Sequence, residues 1–462
     1  MNTSEKKKNE QDNEKEKEKE KEKEIEKVST EFNLNKVERI TKKKFEELKE
    51  KTLKYDEEFP NKNFKSFVKV PDYDEEQRPI PVIFDTDIGS DIDDALALLL
   101  LLHLPAEDVK LLGVTTEYGW VGVRAAVAES IVENYRKDYE VKEEIPVYAG
   151  YTPVLYNKMS LWHTGNEGYG AYLNEKQIKK LIKEPYTFKQ NKNSKWAAVD
   201  FIIKCCLESE KKISIISIGG MTNIALALRK NPLIIKNIDR IVFMGMVKKL
   251  LVVDLEITNL RDQHRPAIVP HSTKMPDILK LGHSYHCNHS CHNIRQDIGA
   301  AMEVFNSGVR IMCVGHAVTH TWFNNEIVPK LRKMDSKYGD FNVVGLLLDI
   351  WLHYRSQIFH QEIDGTCPHD PLTTTECIYP SRFIKYARGH MRITPKGNSE
   401  FIWDPVNGNH YIGSQFRHPK IWLKWFSYSL LSKEQNIKQN IILKKELKKI
   451  KDNEQKKIDE ML

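Results

Sequence analysis

The sequence predicts an α/β domain, built on a mostly parallel central sheet with helices on both faces. Between residues 78 and 428, short runs rich in β-branched and aromatic residues alternate with longer apolar or amphipathic segments. Strands that alternate with helices of this size favour parallel pairing, because each helix carries the chain back across the sheet. Hydrophobic residues make up 40% of the chain, and the excess charge sits at its two ends, which leaves a core-forming centre.

The two ends differ from the central domain. Residues 1–77 include an alternating Glu/Lys tract, EKEKEKEKEKEIEK, and we expect this segment to be largely disordered or loosely docked because it has few apolar residues to bury. Residues 429–462 are lysine-rich, with apolar residues spaced for one helical stripe, which predicts a solvated or self-docking C-terminal helix or tail. A partner-binding arm and a short coiled-coil contact are the respective alternatives.

The central domain opens with PIPVIFDTD, a short apolar run that predicts a buried strand. The later predicted strands are VKLLGVTT, IPVYAG, ISIISIGG, IDRIVFMG and VRIMCVG. The predicted helices are DDALALLLLLHL, VRAAVAESIVENYRK, AAVDFIIKCCLES, TNIALALRK and GAAMEVFNSG. Right-handed crossovers place the carboxyl ends of the strands on one side of the sheet, where ligands bind. Residues 247–281 contain three prolines and no clear period, so we interpret them as an insertion or long loop.

Composition excludes several classes of protein. A net charge of +6, from 71 basic and 65 acidic residues, is too mild to indicate nucleic acid as the main partner. The longest apolar run, Ala95 to Leu102, is far shorter than the roughly 20 residues that span a bilayer. The N-terminus has no apolar core for a secretory signal, and seven scattered cysteines fit reduced thiols. We therefore expect a cytoplasmic protein without membrane or nucleic-acid partners.

An acidic cluster lies where the first strand meets the first helix. Because like charges repel strongly in a partly dry site, a bound cation would resolve the repulsion, and carboxylate oxygens select Ca²⁺ or Mg²⁺. Gly89 lets the chain bend within the cluster. The alternative is an acidic helix cap beside a solvated loop. The five aspartates are Asp85, Asp87, Asp91, Asp93 and Asp94.

Two further segments carry chemically useful groups. In CPHDPLTTTECIYP, Asp370 precedes a proline that suits a helix start, and His369 titrates near neutral pH. In SIISIGGMTNIALALRK, the backbone carbonyl of Ile218 is the last strand oxygen before two glycines. This carbonyl can ligate a metal whatever the side chain is.

With these motifs in order, the chain resembles the calcium-dependent nucleoside hydrolases, the inosine-uridine preferring family. The resemblance spans about residues 78–428. It rests on Asp85-x-Asp87-x-Gly89, Asp93-Asp94-Ala95, the turn Gly219 to Ala225, Met244-Gly245, Asn293-x-Arg295-x-Asp297 and His369-Asp370-Pro371.

The family resemblance implies an open, Rossmann-like fold and one bound Ca²⁺ ion. By position, its ligands would be Asp87, Asp94, Asp370 and the carbonyl of Ile218. Water and the ribose hydroxyls would complete the coordination shell, which suits the loose geometry of Ca²⁺.

The resemblance also implies hydrolysis of the N-glycosidic bond of a ribonucleoside. Asp93 and Asn293 match positions that hold ribose hydroxyls. Asp87 would act as general base on a water that the ion acidifies. His369 would be the acid beside the leaving base, with a purely structural histidine as the alternative. The expected partner is a small-molecule nucleoside, and a homo-oligomer is an alternative to a monomer because relatives are often dimers or tetramers.

Some family positions differ in this chain. Trp120 stands where the family usually has Asn or Asp, and Cys291 stands where a Glu is thought to grip the 5′-hydroxyl. Asp297 is followed by Ile298-Gly299 in place of Pro-Glu. The alternative function is therefore a catalytically weakened member that acts as a ligand-binding or interaction module.

The stretch His283–His292 is rich in histidine and cysteine. Close Cys and His side chains can form a zinc site, but the spacing matches no standard finger. We interpret the stretch as an imidazole-rich loop or pocket wall, with zinc binding as the less favoured hypothesis.

Overall fold

The structure is a computed structural model that describes residues 67–151, 196–245, 285–287, 291–319, 321, 323–324, 365–404 and 406–430. Within this part of the chain the strands are β1 (Ile80–Thr86), β2 (Val109–Thr116), β3 (Val147–Ala149), β4 (Ile213–Ser217), β5 (Ile238–Met244), β6 (Tyr285–Cys287), β7 (Ile311–Val314), β8 (Phe323–Asn324), β9 (Gly365–Thr366), β10 (Ile384–Ile393), β11 (Ser399–Trp403) and β12 (His410–Phe416).

The α-helices of the described residues are α1 (Asp93–His103), α2 (Val121–Asp138), α3 (Ala197–Glu208), α4 (Thr222–Lys230), α5 (His292–Gln296), α6 (Ile298–Asn306), α7 (His316–Thr319), α8 (His369–Ile378) and α9 (Pro419–Ser429). The predicted insertion at 247–281 lies outside the described residues, as do residues 1–66 and 431–462.

The central sheet confirms the predicted fold class. Its ten strands lie in the order β3-β2-β1-β4-β5-β7-β12-β10-β11-β6. The first seven pair in parallel, as the alternation of strands and helices predicts. The last three extend the sheet in antiparallel fashion, which the strand-helix alternation does not predict. The carboxyl ends of the parallel strands therefore share one edge.

Each face of the sheet carries its own apolar core. Alternate side chains of a strand point to opposite faces, so Val82 and Phe84 enter one core while Ile83 enters the other. Helices α1, α2, α8 and α9 cover the first face, and helices α3, α4 and α6 cover the second. This arrangement buries both faces, as parallel strands require.

Helices α1 and α8 form a buried pair on the first face. Every residue of α1 from Asp93 to Leu102 is buried, and so is every residue of α8 from Asp370 to Ile378. A helix that is apolar all round is stable only inside a protein, where its whole surface is covered. The two helices pack against each other, and each begins with acidic residues.

The described part of the N-terminal segment is docked on this domain. Val68 forms a β-bridge with Tyr386, and Val70 donates its backbone N–H to the Ser381 hydroxyl at 2.8 Å. The Tyr73 hydroxyl lies 2.8 Å from that of Ser214. None of the described helices is both long enough and apolar enough to cross a bilayer.

Candidate active site

Three carboxylates converge where α1 and α8 begin. Asp93 and Asp94 are the first two residues of α1, and Asp370 is the second residue of α8. One oxygen from each carboxylate lies within 4.8 Å of the others, and all three side chains are buried. The predicted ligands Asp94 and Asp370 therefore lie close together. Asp93, which we predicted to hold the sugar, lies beside them. We call these three residues the carboxylate cluster.

The electrostatics of the carboxylate cluster favour a cation. Burial raises the pKa of Asp93 well above its ordinary value, and the charge of Asp91 raises it further. Burial is also the main cause of the raised pKa of Asp94 and of Asp370, followed by repulsion from Asp87 and from Asp93, respectively. A divalent ion would relieve both effects, and an all-oxygen donor set suits hard Ca²⁺ or Mg²⁺.

Two local features support ionised carboxylates in this cluster. The Thr86 hydroxyl donates to the Asp94 carboxylate over 2.5 Å. Asp93, Asp94 and Asp370 also lie in the first turns of their helices, where the unpaired backbone N–H groups favour negative charge. The donor set, the burial and the helix ends therefore all fit a bound cation.

Asp87 lies beside this cluster but is not one of its three members. Its carboxylate is buried, and Oδ2 accepts a hydrogen bond from the Gln296 amide at 2.6 Å. The backbone carbonyl of Asp87 accepts from the buried guanidinium of Arg124. Arg124 also donates to the carbonyls of Ile88 at 3.0 Å and Tyr118 at 2.6 Å, so it ties the loop after β1 to the loop after β2.

Asn293 contacts the predicted carbonyl ligand directly. Its amide nitrogen lies 2.9 Å from the carbonyl oxygens of both Ile218 and Met244. A carbonyl oxygen has two lone pairs, so that of Ile218 keeps one for a metal. Asn293 thus connects the ends of β4 and β5. The oxygen of its side-chain amide is the atom left to contact a ligand.

His369 adjoins the carboxylate cluster at the start of α8. Its Nδ1 atom lies 2.6 Å from the hydroxyl of Thr319, a buried residue at the end of α7. This contact orients the imidazole ring at the start of α8.

The two atypical positions have distinct surroundings. Cys291 caps α5 and is buried against the end of β5, where a side chain at Gly245 would come within 3.0 Å of its sulfur. This contact explains why a small, apolar residue occupies position 291. Trp120 is half-buried directly before α2.

The histidine-rich stretch is described only in part. Tyr285–Cys287 form β6 against β11, and His292 is exposed with its ring 6.3 Å from that of Tyr118. Among the described residues the carboxylate cluster is the only group that could hold a metal ion. The zinc hypothesis stays a prediction, because most of the stretch lies outside those residues.

Sequence reasoning missed Glu117, which interacts with Asp85 behind the site. Glu117 follows β2 and caps α4, accepting the backbone N–H groups of Met221 and Thr222 at 2.8 and 2.7 Å. Burial raises the pKa of Glu117 well above its ordinary value and that of Asp85 to about 6. A side chain at Gly219 would come within 2.5 Å of the Glu117 carboxylate, which explains the glycine. An acid directly after a buried strand is the signal that could have revealed Glu117.

The family model for the inosine-uridine preferring nucleoside hydrolases matches residues 82–410. The chain is 26% identical over 321 residues to a probable uridine nucleosidase 2 of Oryza sativa subsp. japonica, covering 68% of this chain and 79% of that one. It is 26% identical over 314 residues to the pyrimidine-specific ribonucleoside hydrolase RihA of Escherichia coli O81 (strain ED1a), covering 67% and 83%.

Solved structures support the same fold. A purine-preferring ribonucleoside hydrolase from Gardnerella vaginalis aligns with a TM-score of 0.52 at 22% identity, over 77% of this chain and 99% of that one. A plant nucleoside hydrolase aligns with a TM-score of 0.54 at 20% identity, over 76% and 99%. The predicted family is confirmed, because its model covers most of the chain. The chain therefore belongs to the inosine-uridine preferring nucleoside hydrolase family and is an enzyme that hydrolyses the N-glycosidic bond of nucleosides.

Proposed function

We propose that the enzyme splits a ribonucleoside into base and ribose with a Ca²⁺ ion held at the carboxylate cluster. The observation that carries this proposal is the convergence of three buried carboxylates from two helix starts. The starts of α1 and α8 follow β1 and β9, so the cluster depends on elements far apart in the chain. Three buried acids at one point are costly without a cation, which makes a purely structural role for them a poor explanation.

The ligands proposed for Ca²⁺ are Asp87, Asp94, Asp370 and the carbonyl of Ile218, and Asp93 lies beside them. Asp94 and Asp370 belong both to the family pattern and to the carboxylate cluster. When bound, the ion neutralises the carboxylates and lowers the pKa of a coordinated water.

Three side chains then divide the chemistry. Asp87 accepts the proton of the attacking water, because Gln296 occupies only one of its two oxygens. Asp93 accepts a hydrogen bond from a ribose hydroxyl. The carboxylates of the site together stabilise the positive charge that develops on the ribosyl group. His369 donates to the departing base while Thr319 holds its ring.

Relatives of this chain differ in the nucleoside that they are named for. Two are named for uridine and for pyrimidine ribonucleosides, and a structural neighbour is named as purine-preferring. The assay should therefore cover uridine, cytidine, inosine and guanosine, with base release measured for each.

The decisive experiment combines calorimetry with this assay. Wild-type protein should bind Ca²⁺ and release base, whereas Asp94→Asn should lose most of both because one cluster carboxylate is gone. Asp200→Asn is the matched control, since Asp200 lies on the surface of α3 in an exposed pair with Lys230. Wild-type protein without Ca²⁺ affinity, or an Asp94 variant equal to the control, would refute the proposal.

The alternative is a catalytically weakened enzyme that acts mainly as a ligand-binding or interaction module, because Cys291 packs against Gly245 where the family resemblance implies a sugar-gripping acid. It requires Ca²⁺ binding with only slow release of base from every nucleoside in the panel. Rapid base release that Asp87→Asn abolishes, with the fold intact by circular dichroism, would exclude it.

A further inference from the structure

Helix α5 presents two buried amides to the site. Asn293 and Gln296 are three residues apart, so they lie on one face of this short helix. Asn293 is 6% exposed and Gln296 is 2% exposed. Asn293 holds the carbonyl of Ile218, and Gln296 holds the carboxylate of Asp87. One helix therefore contacts both the proposed carbonyl ligand and the proposed base.

The surroundings of Gln296 accommodate a side chain whose amide reaches Asp87. Its nitrogen donates to Oδ2 of Asp87 at 2.6 Å, the short distance typical of a bond to a charged acceptor. Gly220 leaves room for it, because a side chain there would come within 2.9 Å of the Gln296 Cβ atom. The amide oxygen of Gln296 has no hydrogen-bond partner among the described residues.

The lack of a hydrogen-bond partner for this amide oxygen within the described part of the chain argues against a purely structural role for Gln296. A buried acceptor without a partner is costly, and an apolar side chain of similar length would fill the same space without that cost. What the glutamine supplies and an apolar residue lacks is the hydrogen bond to Asp87. The useful interaction at this position is therefore the one that holds the carboxylate.

We propose that Gln296 is a positioning residue for Asp87. The terminal torsion of an aspartate is broad, so a carboxylate free at both oxygens rotates between orientations. With Oδ2 held by Gln296, Oδ1 would be the oxygen available to the cation and the attacking water. This inference rests on the proposed Ca²⁺-dependent hydrolysis.

The test uses Gln296→Met, which keeps an unbranched side chain and similar helix propensity but removes the donor. We expect kcat and Ca²⁺ affinity each to fall by about tenfold or more, the size of one lost hydrogen bond to a charged group. The KM for nucleoside should stay within about twofold, since Gln296 does not contact the substrate. Arg295→Met, on the exposed side of the same helix, is the control for packing of α5.

A double-mutant cycle with Asp87→Ala separates positioning from packing. Without a carboxylate at position 87, Gln296→Met should leave the calorimetric Ca²⁺ affinity unchanged. If Gln296→Met does not fold, Gln296→Asn replaces it, because its amide is one methylene too short to reach Asp87.

The inference is overturned if Gln296→Met matches wild type in Ca²⁺ affinity and kcat, or if its effect persists in the Asp87→Ala background. A wild-type protein that binds no Ca²⁺ would refute the proposed function and this inference together. Normal Ca²⁺ binding with an inert Gln296 substitution would refute the inference alone.

Discussion

The two side chains that we propose as base and acid are each held by a residue from another element. Asp87 after β1 is held by Gln296 of α5, and His369 of α8 is held by Thr319 of α7. Such supporting contacts determine where a reactive atom points, and a misplacement of about 1 Å is enough to reduce a rate severely. The chemistry therefore depends on pairs of residues more than on single side chains.

The His369–Thr319 pair leads to a prediction at this scale. Thr319→Val keeps the shape of the side chain but removes the hydroxyl that lies 2.6 Å from Nδ1. Nucleoside cleavage should slow about tenfold, the effect of one lost hydrogen bond. A riboside whose leaving group departs as a stable anion, such as nitrophenolate, needs no proton from His369 and should be cleaved at the wild-type rate. Equal losses on both substrates would remove Thr319 from this role.

At the scale of elements, α1 and α8 are the structural base of the site. Their burial keeps them from shifting, so the carboxylates at their starts stay close to one another. Protein interiors are close-packed, and a cavity beneath such a helix would therefore weaken both stability and cation binding.

Leu100→Ala tests this role of α1. Leu100 is fully buried, and the substitution should lower the free energy of unfolding by about 2–5 kcal/mol, as large-to-small core changes do. Leu207→Ala on α3 is the matched control, since Leu207 is 54% exposed and should lose far less. Denaturant titration of both variants gives the comparison, and equal losses would contradict the buried placement of α1.

For the whole molecule, cation binding and pH are linked through the carboxylate cluster. Burial raises the pKa of Asp93, Asp94 and Asp370, so the stability that protonation of these groups gives the cation-free protein is lost as pH rises through the folded-state values. The proposed Ca²⁺ ion would bind the ionised carboxylates and reverse this loss. A Ca²⁺ concentration of 100 times Kd would add about 2.7 kcal/mol to the free energy of unfolding.

Thermal unfolding with and without Ca²⁺ tests this linkage. The rise in Tm on adding Ca²⁺ should be larger at pH 8 than at pH 5.5, because protons compete with the ion at the lower pH. Asp94→Asn should lose most of the rise, whereas Asp200→Asn should keep it. A rise that is independent of pH would contradict the linkage.

His410 makes an opposite contribution to stability. Burial lowers its pKa from 6.5 to about 3, and the nearby His390 adds to this shift. Unfolded chains bind the proton near pH 6.5, so the contribution is complete above that pH and is lost as pH falls towards 3. Between pH 6.5 and 4.5 the loss amounts to about 1 kcal/mol per pH unit.

His410→Asn should flatten this part of the stability curve. The asparagine oxygen can replace Nδ1, which accepts the backbone N–H of Met391 at 2.8 Å, but it does not titrate. Denaturant unfolding at several pH values measures the slope, and equal slopes in variant and wild type would exclude His410 as its source.

Much of the fold was predictable from local pattern. β2 and α4 have the bounds of VKLLGVTT and TNIALALRK, because a run of apolar residues with a definite period encodes its own conformation. Strands β10 to β12 were missed. In β10 the alternation of buried and half-buried residues includes lysine and arginine, and β12 joins β7 only through tertiary pairing.

The site was predictable in composition more than in arrangement. The acids at 87, 93, 94 and 370 stood out by their density and by the family resemblance, and the structure brings three of them within reach of one ion. Gln296, Thr319 and Glu117 were not predicted, because an isolated amide, hydroxyl or acid carries no signal until its neighbour in space is known.

Composition and period were therefore sufficient for strands β1 to β5 and β7, for most of the helices between them and for the acidic character of the site, since these depend on residues a few positions apart. Which oxygen is held and which is free depends on contacts such as Asp87 with Gln296, 209 residues apart. Such contacts form only when separate elements pack around one core, and no local pattern in the sequence predicts them.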